Sequence, residues 1–333
     1  MDDTPVIDSH NDSIIALIRR GHIGLDGARQ ARDSRRPGAV AYLRQYQYPL
    51  GEGIQLDIPR MRQGGIDAAF FAVDTTRPWG NHLLYALDAL GYFAAEAERC
   101  AGDIGVALCA DDIAINKEAG RLSALLAIEN SIALEQSPYV LPQLYRLGVR
   151  TMTLTHSARS WAGDGCEVEG GGGLTDFGRM VVEQMNELGM LIDVSHLNEK
   201  GFWDVIKYSR APVIASHSCC RALCDHPRNL RDEQLAALAE KGGGVGITFV
   251  PFFVSEREPD LEKLLDHVEH AVAVAGAGHV GLGSDFDGGG DLLRDAGEYP
   301  GIAAGLRARG VGGRDLAALM GGNHLSLLRR TIG

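Results

Sequence analysis

The sequence predicts a (β/α)8 barrel, and two features of the chain support this fold class. Short apolar segments alternate along the chain with amphipathic segments whose apolar residues recur at helical spacing. Most of the apolar segments are continuous, as expected for parallel strands that are covered on both faces. The main alternative is an open doubly wound sheet, but no glycine fingerprint for a dinucleotide follows the first apolar segment. A barrel would place the active site at the carboxyl ends of its strands.

Eight apolar segments are the candidate strands of this barrel: residues 5–8, 66–73, 124–129, 150–156, 190–196, 212–217, 244–250 and 279–285. Six amphipathic segments are the candidate helices: residues 83–100, 177–188, 199–208, 232–241, 260–275 and 314–328. Thr175 is a candidate N-cap for the second of these helices. His267 and His270 lie one turn apart on the 260–275 helix, and we expect both to face solvent.

We expect residues 1–333 to form a single domain, because no linker or internal repeat interrupts the alternation. Residues 21–59 are polar and rich in arginine, and they include Tyr42, Tyr46 and Tyr48. We expect them to form an insertion of helices and loops over the barrel mouth. Residues 170–173 are all glycine, which fits either a flexible connector or a mobile lid.

The composition argues against several classes of protein. A formal net charge of −12 disfavours nucleic acid or an anionic membrane as the main partner. The 6 cysteines show neither paired spacing nor a Cys-x-x-Cys motif, which disfavours a disulfide framework and a structural zinc knuckle. No signal-peptide pattern and no apolar run of membrane-spanning length are present, so we expect a cytoplasmic protein.

Polar side chains stand at the ends of six of the eight candidate strands. In chain order they are His10 and Asp12, Glu129, His156, His196, His217 and Asp285. Each residue alone has an ordinary explanation, such as a hydrogen bond at a strand end. Because all strand ends of a barrel meet at one face, the shared position predicts that these side chains converge on one site.

The residue types at these positions predict a metal centre. His10, Asp12, His196 and His217 are enough to coordinate an ion, and Glu129 has two oxygens with which to bridge a pair of ions. Many barrel hydrolases bridge their ions with a carboxylated lysine, but here no lysine follows a candidate strand. Imidazole with carboxylate favours zinc over magnesium or calcium, while manganese, iron and cobalt remain alternatives.

With these residues in place, the chain resembles the renal or membrane dipeptidases, the M19 metallopeptidases of the amidohydrolase superfamily. The shared motifs run along almost the whole chain: His-Asn-Asp at 10–12, Thr-Leu-Thr-His at 153–156, Gly-Leu-Thr-Asp-Phe-Gly at 173–178, Leu-Ile-Asp-Val-Ser-His at 191–196, Pro-Val-Ile-Ala-Ser-His-Ser at 212–218, His-Pro-Arg-Asn at 226–229, Gly-Ser-Asp-Phe-Asp-Gly at 283–288 and Gly-Gly-Asn at 321–323. The family usually has two glycines after its bridging glutamate, where this chain has Asn130 and Ser131. That difference puts the substrate profile in question.

The resemblance implies two zinc ions per chain and a metal-bridging hydroxide that attacks the peptide bond of a dipeptide. It assigns His10 and Asp12 to one zinc, His196 and His217 to the other, and Glu129 to both. It places His156 near the scissile carbonyl, Arg228 on the substrate carboxylate, and Asp285 as the group that transfers the proton. It also implies a homodimer.

The sequence therefore leaves three alternative functions. The first is a zinc dipeptidase, with dipeptides that carry a C-terminal D-residue among its candidate substrates. The second is a related binuclear amidohydrolase that acts on N-acyl amino acids, lactones, phosphate esters or another small amide or ester. The third is a non-catalytic binding protein on the same fold, which the complete ligand set disfavours.

Overall fold

The computed structural model describes residues 4–19, 23–27, 53–76 and 80–333, and these ranges contain a closed parallel barrel. Nine strands occur within them: β1 (Ile7–Asn11), β2 (Ala68–Asp74), β3 (Ile104–Val106), β4 (Leu122–Glu129), β5 (Val149–Thr153), β6 (Leu191–Asp193), β7 (Val213–Ser218), β8 (Gly244–Ile247) and β9 (Val280–Leu282). The sheet runs β2-β1-β9-β8-β7-β6-β5-β4, and pairing of β2 with β4 closes it. The predicted (β/α)8 barrel is therefore confirmed.

The described α-helices occupy the connections between these strands and the C-terminal part of the chain: α1 (Ser13–Arg19), α2 (Ile58–Gly64), α3 (His82–Arg99), α4 (Ala110–Glu118), α5 (Val140–Arg146), α6 (Asp176–Leu188), α7 (Glu199–Tyr208), α8 (Asp232–Glu240), α9 (Pro251–Val254), α10 (Leu261–Ala275), α11 (Tyr299–Ala308), α12 (Gly313–Ala317) and α13 (Asn323–Thr331). The predicted N-cap of α6 is present, since the Gly178 amide donates to Thr175 Oγ1 at 3.0 Å. Gly189 then ends α6 in the left-handed region with φ 68°.

The structure differs from the sequence prediction at several elements. β3 was missed because it has only 3 residues and pairs with the first residues of β4, outside the barrel circle. The predicted helix 314–328 is interrupted between α12 and α13 by a wider turn, Ala318–Gly322. Gly321 lies in that turn, and a Cβ atom there would come within 2.2 Å of the Pro5 carbonyl oxygen. Most of the predicted insertion 21–59 falls outside the described residues, namely residues 21–22 and 28–52.

His267 corrects another expectation, because it is buried and only 1% exposed. Its Nδ1 accepts a hydrogen bond from the Cys220 amide, and its Nε2 lies 2.9 Å from the Val254 carbonyl oxygen. The ring therefore joins α10 to α9 and to the segment after β7 rather than facing solvent. Its helical neighbour His270 pairs with Asp232 at 2.8 Å and is only partly exposed.

The barrel interior changes from apolar to polar along the strands. An apolar cluster fills its lower part, with Phe70, Leu125 and Ile214 from the strands packed in one group with Leu325 and Leu328 from α13. Because side chains alternate along a strand, Asp74, Glu129 and Ser216 lie on the same inward side as these three, closer to the carboxyl ends of their strands. The strands thus deliver acidic and hydroxyl groups to the carboxyl end of the barrel.

Candidate metal centre and substrate cavity

Four strands bring the central ligand candidates together at that end. His10 belongs to β1, Glu129 is the last residue of β4, and His217 belongs to β7. His196 follows β6 by three residues and has a left-handed backbone with φ 68°. Left-handed non-glycine residues are uncommon and concentrate at functional sites, where the surrounding structure holds the strained backbone.

Glu129 stands at the centre of three imidazole rings. Its Oε1 lies 2.9 Å from His196 Nε2, 3.6 Å from His217 Nε2 and 3.9 Å from His10 Nε2. Within the described residues, potential ligand atoms form three groups, each with all atoms within 4.8 Å of one another. The groups are His10, Glu129 and His217; Glu129, His156 and His196; and His10, Asp12 and Asp285. Glu129 belongs to two groups, as a bridging carboxylate would.

The chemistry of these atoms fits divalent cations. His10 Nε2 is buried and has no hydrogen-bond partner among the described residues, and the Nε2 atoms of His196 and His217 lie 2.9 Å apart. Burial lowers the pKa of His10 to about 4 and holds those of His196 and His217 well below the usual range. The rings are therefore neutral near pH 7, which is the form that binds metal.

The pKa of Glu129 is shifted in the opposite direction, by burial and by neighbouring negative charges. Burial raises its pKa well above the usual value, and the negative charges of Asp12, Asp74 and Asp285 raise it further. Cations between Glu129 and the imidazoles would offset this repulsion. Imidazole and carboxylate together form a donor set that suits zinc.

A hydrogen-bond chain below the ligands sets the tautomer of His217. Ser216 Oγ donates to Asp193 Oδ2, and the same Oγ lies 2.8 Å from His217 Nδ1. A hydroxyl has one proton, so Ser216 must accept from His217 Nδ1–H and thereby leaves the Nε2 lone pair to face Glu129. Thr153 Oγ1 also donates to Asp193 Oδ2, at 2.8 Å. On the other ring, Ser157 Oγ lies 3.2 Å from His196 Nδ1.

A cavity of about 100 Å³ opens above the ligands. It is lined by Asp12, Ile15, Asp74, Glu129, His156, His196, Asp285, Asp287 and Gly288. The His156 ring lies 4.2 Å from that of His196, centroid to centroid, and Asp285 Oδ1 lies 3.9 Å from His10 Nε2. Burial raises the pKa of Asp285 to about 7, against the opposing charge of Arg228. A carboxylate that lines this cavity is a candidate proton-transfer group.

A second cavity of about 160 Å³ adjoins the first, and His196 lines both. Arg228 and Ser218 lie in its wall and are buried. Arg228 Nη2 donates to the His217 carbonyl oxygen at 3.1 Å, and its guanidinium lies over the Phe253 ring at 5.2 Å. Across the part of the chain that the structure describes, Arg228 Nε and Ser218 Oγ have no hydrogen-bond partner. These donors suit an anionic group in the cavity.

The structure brings every sequence-predicted site residue to this end of the barrel: His10, Asp12, Glu129, His156, His196, His217, Arg228 and Asp285. Sequence reasoning missed Asp74, Asp193, Ser216 and Ser218. Asp74 directly follows a candidate strand, which is the signal that revealed the others. The remaining three lie within or beside predicted strands, and the sequence gives no sign of their contacts.

Comparisons with known proteins show which proteins the chain is similar to. A family model described as membrane dipeptidase, peptidase family M19, matches residues 1–332. The chain is 32% identical over 315 residues to an uncharacterized dipeptidase, C965.12, of Schizosaccharomyces pombe, covering 87% of the chain and 75% of that relative. It is 37% identical over 236 residues to the dipeptidase verJ of Clonostachys rogersoniana, covering 69% of the chain and 61% of that relative.

Solved structures show the same similarity. The structure of the dipeptidase AC, an M19 metallopeptidase, superposes with a TM-score of 0.86 at 30% identity, covering 100% of both chains. A metallopeptidase from Rhodobacter sphaeroides, bound to a phosphinate mimic of the dipeptide L-Ala-D-Ala, gives 0.85 at 29% identity, covering 99% of this chain and 100% of that one. None of the described helices is long and apolar enough to cross a bilayer. By the match to the family model and these relatives, the chain belongs to the membrane dipeptidase family of metallopeptidases, M19.

Proposed function

We propose that this chain hydrolyses the peptide bond of dipeptides with two bound zinc ions. The main observation behind this proposal is that three neutral imidazoles surround Glu129 Oε1 beside a cavity whose wall contains Arg228. His10 and Asp12 would hold one ion, His196 and His217 the other, and Glu129 would bridge them. When bound, such ions polarise a carbonyl oxygen and acidify water.

Arg228 and Ser218 select the substrate through its carboxylate. The Arg228 guanidinium is fixed by the His217 carbonyl and by the Phe253 ring, so its unpartnered Nε has a defined direction. Charge-assisted hydrogen bonds from a buried guanidinium to a carboxylate are among the stronger polar contacts. A free C-terminus one residue beyond the scissile bond would satisfy Arg228 Nε and Ser218 Oγ, which favours dipeptides over longer chains.

Asp285 and His156 serve the two proton-sensitive positions of the reaction. With its pKa raised to about 7, Asp285 accepts a proton from the attacking water and returns it to the leaving amine. Burial lowers the pKa of His156, so its neutral ring donates a hydrogen bond from one nitrogen to the oxygen on which charge develops. The complex of the Rhodobacter sphaeroides protein with an L-Ala-D-Ala mimic supports including C-terminal D-residues among the substrates.

A second candidate is an amidohydrolase for N-acyl amino acids or a related small amide or ester. It is favoured by the same anion-binding cavity, because an N-acyl amino acid also ends in a free carboxylate. The two candidates differ in the other end of the substrate, which is a free ammonium only in a dipeptide.

The deciding experiment incubates zinc-loaded protein with L-Ala-L-Ala, L-Ala-D-Ala, N-acetyl-L-Ala and a phosphotriester, and measures amine or alcohol release. We expect hydrolysis of the dipeptides and a fall in kcat/KM of about a hundredfold or more in Arg228→Ala, since a charged hydrogen bond is lost. Arg62→Ala removes an exposed guanidinium that is paired with Asp103 and lines neither cavity, and it should retain most activity. No amine release from any dipeptide by fully loaded protein would contradict the proposal.

A further inference from the structure

Asp74 is an acidic side chain of the catalytic cavity that the proposed reaction does not use. It is the last residue of β2 and is in register with Glu129, the last residue of β4. Residues in register on neighbouring parallel strands point to the same side and lie roughly 5 Å apart. The Asp74 carboxylate therefore lies beside the bridging carboxylate, and it lines the same cavity as His156 and Asp285.

Within the described ranges, no cationic side chain pairs with the Asp74 carboxylate. The Thr76 amide donates to its Oδ1 at 2.7 Å, and the described residues supply no hydrogen bond to Oδ2 and no ion pair. Asp74 is absent from all three groups of potential metal ligands. Its negative charge acts on Glu129 and Asp285, whose pKa values it raises together with burial. Asp74 is partly exposed in the cavity wall, so its carboxylate is accessible to a cationic group of a ligand.

The two adjoining cavities carry opposite charges. Arg228, with an unpartnered buried Nε, lies in the wall of one cavity, and Asp74 lies in the wall of the other. His196, a candidate metal ligand, lines both cavities. A dipeptide at neutral pH has the matching distribution, with a carboxylate at one end, an ammonium at the other and the scissile bond between them.

We propose that Asp74 binds the free α-ammonium group of the substrate and makes the enzyme selective for unblocked dipeptides. This inference rests on the proposed function and deepens it. Asp74 and Arg228 would bind the two free termini of a dipeptide at the same time. N-acylated substrates would then lose one contact, and longer peptides could not make both. Asp74 is a specificity-determining residue in this scheme, because it contacts the substrate away from the reacting atoms.

The test compares L-Ala-L-Ala with N-acetyl-L-Ala-L-Ala in the wild type and in Asp74→Asn. The asparagine retains an oxygen to accept from Thr76, so it removes the charge while keeping the turn. We expect kcat/KM for the free dipeptide to fall roughly ten- to a hundredfold, mainly through KM, with little change for the acetylated one. Asp111→Asn makes the same change in net charge at an exposed helix start and should change neither.

Two further measurements separate this proposal from its alternatives. Zinc content, measured by mass spectrometry, should be the same in wild type and Asp74→Asn, and a loss of zinc would make Asp74 a metal-site residue and overturn the proposal. Equal losses for free and acetylated substrate would also overturn it. If the wild type hydrolyses no dipeptide, the proposed function fails. Calorimetric binding of a phosphinate dipeptide mimic, with and without N-acetylation, would then still decide the role of Asp74.

Discussion

Asp193→Asn tests whether an anion that touches no metal controls metal binding. In the wild type, the Asp193 carboxylate can only accept, so the Ser216 hydroxyl donates to it and must accept from His217 Nδ1–H. The amide of the asparagine can donate to Ser216 instead. The hydroxyl would then turn its proton toward His217 Nδ1, and the ring would place its own proton on Nε2, where the metal should bind.

The expected effect follows from that change of tautomer. Loss of a partner that orients a metal-binding histidine typically weakens metal affinity by about 10- to 100-fold, or about 1.4 to 2.7 kcal/mol. Thr153→Val is the matched control, because Thr153 donates to the same Asp193 oxygen at 2.8 Å but does not contact His217. The assay is competitive titration of zinc against a chromogenic chelator. Zinc affinity within twofold of the wild type in Asp193→Asn would refute the reasoning, as would an equal loss in Thr153→Val.

Three other predictions concern stability. Removal of zinc by a chelator should lower the free energy of unfolding, measured in urea. The loss should be about 4 kcal/mol per site if the free zinc concentration had been a thousand times the Kd of that site. Added zinc, but not magnesium, should restore the stability. His324→Gln should make the free energy of unfolding depend less on pH in the acid range. Burial lowers the pKa of His324 to about 4, so the unfolded chain binds its proton first as pH falls below 6.5. Between pH 7 and pH 5 the free energy of unfolding of the wild type should therefore fall by about 2 kcal/mol more than that of the variant. Equal falls in the two proteins, measured by urea unfolding, would contradict this. Gly321→Ala should destabilise by about 1–3 kcal/mol, since its Cβ would overlap the Pro5 carbonyl oxygen. Gly301→Ala, whose Cβ meets no atom closer than 3.9 Å, should not.

The barrel could be predicted because its strands are covered on both faces and therefore appear as continuous apolar runs. The same reasoning missed β3, because a pairing of 3 residues leaves no pattern long enough to distinguish from a loop. It also missed α4 and α5, which are short and have few buried residues. His267 was assigned to solvent because its partners lie outside its own helix: the Cys220 amide follows β7, and the Val254 carbonyl ends α9.

The candidate site was predictable to the extent that its residues directly follow strands. Asp74 directly follows the candidate strand 66–73 and so satisfies the same criterion, but the prediction did not include it. Asp193 and Ser216 could not be found in this way. They act through a proton shared across two strands, and such a contact depends on the register of β6 with β7 rather than on residue type.

The Asn130–Ser131 pair, which sets the chain apart from the usual family pattern, bears on loop structure rather than on the cavity wall. Asn130 has a positive φ of 82°, a backbone conformation that glycine adopts without steric strain. Its side chain offsets that strain by donating to Thr76 Oγ1 at 3.1 Å and accepting from Ser160 Oγ and the Ile132 amide. Ser131 Oγ likewise accepts from the Ala162 amide. Neither residue is among the described residues that line the two cavities. The pair therefore ties the loops after β2, β4 and β5 together beside Glu129, and in the scheme we propose the choice of substrate falls instead to the charged walls at Arg228 and Asp74.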